Sequence, residues 1–150
     1  LLDTRFAETG VRLDIAPGTR AANVTGDPIL TEQVILNLLT NAVDAIEDLG
    51  PDAPPDRRRI EVAALRQGAD WLLHISDTGV GLGNLDPDSA MMPFVSTKEA
   101  GRGMGLGLSI SYNIMRDMQG DLRISSRDEG QGAVATLRLP CAKEGPTDGT

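Results

Sequence analysis

The sequence predicts an α+β fold in which a layer of helices covers one face of a β-sheet. Three observations predict it. Residues 28–49 and 104–119 carry apolar side chains at helical spacing. Short segments at 11–15, 60–62, 71–76, 122–124 and 133–139 have the alternation or composition of strands. The order is strand, helix, strands, long loop, helix, strands, which suits helices gathered on one sheet. At 150 residues the chain fits one domain, expected over 1–140, with a core that needs no disulfide or metal staple.

Composition narrows the function classes. Aromatics are 3% of the chain, so the core must rest on Leu, Ile, Val, Met and Ala. The net charge of −8 argues against a nucleic-acid surface. It also means that an anionic ligand would need local cations, main-chain N–H groups or a metal. The single cysteine, Cys141, has no partner within the chain, which suits a reducing compartment. No uninterrupted apolar run approaches the roughly 18–20 residues that span a bilayer. Leu1-Leu2 runs straight into Asp3 and Arg5, so no secretory leader is expected.

The elements follow in order. Residues 1–8 read as the tail of a helix. Val11, Leu13 and Ile15 alternate with polar residues, and Pro17-Gly18 ends that strand. Asp27-Pro28 opens a helix, with Asp27 as N-cap and Pro28 in the first turn, running to about Leu49-Gly50. Residues 50–58 form a Pro/Asp-rich loop. Residues 60–62 and 71–76 are antiparallel strands turned around Gln67-Gly68. Gly79, Gly81, Gly83, Pro87, Pro93, Gly101 and Gly103 break residues 78–103 into a long irregular loop, of the kind that is commonly functional. A second helix spans 104–119 with Gly120 as its stop. A hairpin around Gly130-Gln131-Gly132 closes the domain, and residues 141–150 are expected to fray. There is no internal repeat.

Four places carry chemistry. On the first helix, Val34, Ile35, Leu38, Leu39, Ala42, Val43, Ala45, Ile46 and Leu49 fill one arc. Gln33, Asn37, Thr40, Asn41, Asp44 and Asp48 fill the other. That second arc reads as a solvated face, except that Asn is a poor helix former and two sit one turn apart at Asn37 and Asn41. Their neutral oxygens, side by side, suit Mg²⁺, which takes few protein ligands. Next, Asp77-Thr78-Gly79-Val80-Gly81 follows a strand directly. A carboxylate at the end of a buried strand needs a partner, which a ligand amine could supply, and the glycines would let a flat ring approach. A turn with a capping Asp fits the same residues. Then Gly101, Gly103, Gly105 and Gly107 alternate and open a helix, so successive N–H groups and the helix dipole make an anion site. The run has neither the Gly-Lys-Ser/Thr of a Walker loop nor the G-x-G-x-x-G spacing. Last, Phe94 and Lys98 lie just before that run, as a loop anchor and a cation. The apolar positions Leu106, Leu108, Ile110, Ile114, Met115 and Met118 call for burial of the helix.

Each motif is modest alone, but their order is specific. E-Q-V-I-L-N-L-L-T-N-A-V-D-A, D-T-G-V-G-L, P-F-V-S-T-K and G-R-G-M-G-L-G-L-S-I resemble the N, G1, F and G2 boxes of histidine-kinase catalytic domains within the GHKL ATPase superfamily. The run from Pro93 to Gly120 looks most like sensors of the nitrogen-regulatory and C4-dicarboxylate type. The resemblance implies a two-layer sandwich: a mixed, roughly five-stranded sheet with three helices on one face and ATP held between helices and a lid. It implies that Asn41, with Asn37 beside it, coordinates Mg²⁺, and that Asp44 belongs to the same nucleotide-binding helix face. Asp77 would accept from the adenine amino group, and Gly79 and Gly81 would shape the adenine pocket. Phe94 would hinge a lid over 83–103 that tightens on nucleotide. Lys98, Gly103, Gly105, Leu106, Gly107 and Leu108 would meet the phosphates.

The resemblance also implies partners. These are a separate helical dimerisation domain bearing the phosphoacceptor histidine and, through it, a response regulator. The domain itself is expected to be monomeric, cytoplasmic, and without membrane or nucleic-acid contacts. Two departures stand out. Ala133 and Val134 follow Gly132 where the family often has Thr, so a polar contact there must come from elsewhere. The only histidine, His74, lies within a strand and reads as a sheet residue rather than an acceptor. Hydrolytic relatives carry a general-base Glu one turn before the metal Asn. Here that position is Asn37, an amide that cannot take a proton from water. An ATP hydrolase of the same superfamily, an anti-sigma-type serine kinase and a nucleotide sensor without transfer chemistry remain as alternatives.

Overall fold

The computed structural model describes residues 2–17, 27–81, 105–127 and 131–140, with the main chain alone at 2, 3, 5 and 105–108. Helix α1 (Leu2–Thr9) leads into strand β1 (Arg12–Ile15), then helix α2 (Pro28–Glu47). A short 3₁₀ turn (Pro55–Arg57) precedes β2 (Arg59–Gln67) and β3 (Asp70–Asp77), and α3 (Gly105–Asp117), β4 (Asp121–Ser126) and β5 (Ala133–Pro140) follow.

The five strands form one sheet in the order β1-β2-β3-β5-β4. β1 runs parallel to β2 and every other pair is antiparallel, so the sheet is mixed as expected. α2 is the crossover that a parallel pair requires. It packs on β2 and β3, α3 packs on α2 and β4, and α1 packs on α2. One helical layer therefore covers one sheet face.

Local chemistry sets where α2 begins. Asp27 is extended, and its Oδ1 accepts from the N–H groups of Ile29 (2.8 Å) and Leu30 (3.2 Å), with Pro28 in the first turn. Val34, Val43 and Ile46 are fully buried, each contributing about 1.5–3 kcal/mol of apolar burial. Regular winding stops at Glu47. Asp48-Leu49 then tightens, and the chain exits through Gly50 at φ +96°. The expected end at Leu49-Gly50 included this tighter turn. α2 is long and apolar enough to cross a membrane, with mean hydropathy 1.2, yet its apolar arc is the domain core.

β2 and β3 are longer than the expected 60–62 and 71–76. The ladder extends through Ala63, Ala64, Leu65 and Arg66 to a two-residue turn with Gly68 at φ +60°. Cross-strand hydrogen bonding carries these residues, whose own apolar pattern is weak. Two expectations about α3 need correction. The left-handed residue after the helix is Gln119, at φ +64°, not Gly120. The Gly120 N–H closes on Met115 O at 2.8 Å, and a Cβ on Gly120 would collide with the Arg138 carbonyl oxygen. Gly120 is thus small because β5 passes against it. Ile110, expected to be buried, is 46% exposed, while Met115 is fully buried and Ile114 and Met118 are partly so.

Candidate functional site

Register places the key carboxylate. Asp77 ends the central strand β3, opposite Ile60 of β2 on one side and Ala133 of β5 on the other. It shares the helix-facing side of the sheet with the buried Ile75 and is only 7% exposed. Its Oδ1 accepts from the Gly79 N–H at 2.9 Å. Part of the charge is thereby solvated by the turn that follows it.

That turn is fastened to α2. The Val80 N–H donates to Ala45 O at 3.0 Å. A Cβ on Gly79 would stand 2.5 Å from the same carbonyl oxygen. Gly81 adopts φ +78° beside Gly132, and a Cβ on Gly132 would collide with the Asp77 carbonyl oxygen. Gly79 is required here for a reason beyond any approach of a ring. The space its hydrogen leaves is filled by the Ala45 main chain, and Gly79 serves to bring the turn down onto the helix.

The other end of the stripe meets α3. Asn37 is half-buried, and its Nδ2 donates to the fully buried Ser111 Oγ at 3.2 Å. Asn41, one turn on from Asn37, is also half-buried. Asn37, Asn41 and Ala45 form one stripe at i, i+4 and i+8, spanning about 12 Å of helix. It touches α3 at one end and the Asp77 turn at the other. The structure thus joins Asn37 to the middle of α3 and the Asp77 turn to Ala45 on the same helix. Asp44, assigned to the polar arc, is buried rather than solvated. Gly105, Leu106, Gly107 and Leu108 form the first turn of α3, whose leading N–H groups have no intrahelical acceptor. Phe94, Lys98, Gly103, the lid expected at 83–103 and the tail at 141–150 lie outside the described residues.

The donor set fits Mg²⁺ held chiefly by phosphates. Asn41 and Asn37 offer amide oxygens. Among the described residues no group of three or more His, Cys, Asp or Glu side chains could hold a metal. His74 lies on the opposite sheet face, its Nδ1 3.1 Å from Thr136 Oγ1. It is a sheet residue, turned away from the stripe.

One residue at the site carried no sequence signal of its own. Thr78 is 4% exposed, and its Oγ1 donates to Arg57 O at 2.6 Å and accepts from the Arg59 N–H at 3.0 Å. It pins the turn to the start of β2. Only its place between Asp77 and Gly79 hinted at a role.

The chain is 37% identical over 143 residues to the two-component sensor PprA of Pseudomonas aeruginosa, covering 95% of this chain and 15% of that protein. It is 38% identical over 120 residues to the nitrogen regulation protein NtrY of Azorhizobium caulinodans, covering 80% and 15%. It is 37% identical over 126 residues to the C4-dicarboxylate transport sensor protein DctS of Rhodobacter capsulatus, covering 84% and 18%. The chain thus spans less than a fifth of the length of these relatives. Among solved structures, full-length ShkA in complex with AMPPNP superposes with a TM-score of 0.71 at 26% identity, over 94% of this chain and 28% of that one. The profile of the histidine kinase-, DNA gyrase B- and HSP90-like ATPases matches residues 26–143, and this chain belongs to that family.

Proposed function

We propose that this chain is the ATP-binding catalytic domain of a two-component sensor histidine kinase. It would present the γ-phosphate of ATP to a histidine on a separate helical dimerisation domain, from which a response regulator is served. The observation that carries the proposal is the α2 stripe, with Asn41 one turn from the Asn37–Ser111 contact to α3 and one turn from Ala45, which holds the Asp77 turn. Such a stripe suits a ligand with an amine at one end and phosphates at the other. Asp77 accepts from the adenine amino group. The N–H groups of residues 105–108 receive phosphate oxygens at the positive end of the α3 dipole. Asn41, with Asn37 nearby, holds Mg²⁺, which neutralises charge on the phosphates. Phe94 and Lys98 belong to the same reading as lid hinge and phosphate cation.

Asn37 separates the kinase from the hydrolytic branches of the family. The amide donates to Ser111 and offers no base to an attacking water. His74 lies on the far sheet face, so self-labelling is not expected. Isothermal titration with Mg-ATP, Mg-ADP and Mg-GTP tests the nucleotide assignment. Micromolar or weaker binding of both adenine nucleotides, with GTP clearly worse, supports it. Equal binding of GTP contradicts the role of Asp77, because guanine has a carbonyl where adenine has an amine.

A further inference from the structure

One peptide group joins Asp77 and Arg57. The Thr78–Gly79 peptide presents its N–H to Asp77 Oδ1 at 2.9 Å. The carbonyl of that same peptide accepts from Arg57 twice, from Nε at 3.3 Å and Nη2 at 3.1 Å. A trans peptide holds its O and H at opposite ends of one rigid plane, so the two bonds act in line. The guanidinium polarises the carbonyl, and the polarised N–H binds the carboxylate more firmly.

Arg57 is itself oriented. Its Nη2 donates to Gln131 Oε1 at 2.9 Å, and Gln131 Nε2 donates to Val80 O at 3.0 Å. One amide thus braces the arginine with its oxygen and the far side of the turn with its nitrogen. Gln131 is held at the hairpin base by Arg127, whose Nη1 donates to Gln131 O at 3.2 Å. Guanidinium suits this place because its planar fork serves two acceptors at fixed angles. At the cross-strand position facing Asp77, Ala133 brings a methyl group and no hydroxyl.

We propose that Arg57 and Gln131 are positioning residues for base recognition. Arg57 orients the Asp77 carboxylate through the Thr78–Gly79 peptide, and Gln131 holds Arg57 in place. The proposal rests on the reading of Asp77 as the acceptor for the adenine amino group. Its consequence is specific: loss of the relay weakens recognition of that amine and leaves the rest of nucleotide binding alone.

The test compares ATP with purine riboside triphosphate, which lacks the 6-amino group, both with Mg²⁺. Titrations on the 150-residue chain are run well below the melting midpoint of each variant. Arg57→Ala and Gln131→Ala should each lower ATP affinity about tenfold while leaving the amine-free analogue unchanged. In an Asp77→Asn background, Arg57→Ala should add little, because the group it orients has gone. Arg138→Ala, which breaks a contact to Asp70 at the opposite end of the sheet, should change neither ligand. Gln131 is exposed, so Gln131→Ala keeps the test open if Arg57→Ala folds poorly. Equal losses for both ligands would show a merely structural clamp and overturn the proposal, as would unchanged ATP affinity. If the parent chain binds both ligands equally, the Asp77 assignment fails first and the relay falls with it.

Discussion

The α-hydrogens of Gly79 face the Ala45 carbonyl so closely that a β-carbon there would lie 2.5 Å from its oxygen. That oxygen also accepts the Val80 N–H, so the Asp77 turn and α2 meet main chain to main chain. The Ala45 β-carbon stands at the same place, 2.7 Å away, and like the main chain it has no freedom to yield.

Gly79→Ala should therefore be costly. Steric overpacking against main chain destabilises by about 1–3 kcal/mol or more. For a domain of this size that corresponds to a melting midpoint lower by roughly 2–12 °C. Thermal unfolding followed by circular dichroism measures it. A midpoint within a degree of the parent would show that the turn can lift off α2 freely.

Asp77→Asn should weaken binding of ATP and ADP alike. Asn keeps one acceptor oxygen, so the loss should be partial, on the order of 1–3 kcal/mol. Calorimetry reads this directly. Unchanged adenine-nucleotide affinity would remove Asp77 from the base site.

Asn37→Ala should lower stability even without nucleotide. It deletes the donor to Ser111 Oγ, a group with no exposure. Leaving such a group short of a partner costs about 1–3 kcal/mol. Denaturant titration of the nucleotide-free chain checks it. An unchanged unfolding midpoint would mean that the α2–α3 contact does not depend on this bond.

Asp27→Ala should shift the same midpoint by about 1 kcal/mol, the usual worth of an N-cap. Equal stability would show that Pro28 and the packing of α2 suffice to start the helix.

The parts of this fold readable from sequence are those with local causes. Asp27-Pro28 announces the start of α2 because a cap needs only its own next few N–H groups. Val34, Leu38, Val43 and Ile46 announce its buried face because one helix turn sets their spacing. Asp77 stood out because a carboxylate ending an apolar strand demands a partner. What stayed hidden depends on distant neighbours. That Gly79 must also let the turn meet Ala45 shows only once α2 is seen beneath it. Asp44 reads as solvated until the layer around it closes. Gly120 reads as the helix stop, yet Gln119 takes the left-handed conformation, and Gly120 is small because the Arg138 carbonyl passes against it. Thr78, Arg57 and Gln131 join three separate stretches of chain, and no periodicity links them. The family resemblance supplied the ligand, which residue patterns alone had left open between a nucleotide site and ordinary turns.

Phosphoryl transfer to a partner histidine can be read by following the label from ATP. The chain is incubated with radiolabelled ATP and Mg²⁺, alone and with candidate helical hairpin domains bearing a His-Glu pair. Alone, it should not label and should turn ATP over very slowly. With a cognate hairpin, label should appear on that hairpin in an acid-labile, base-stable form, and Asn41→Ala should abolish it. Hydrolysis by the chain alone at more than about one turnover per second, an ordinary enzymatic rate, with no label on any hairpin, would contradict the kinase reading and assign the domain to the hydrolytic branch.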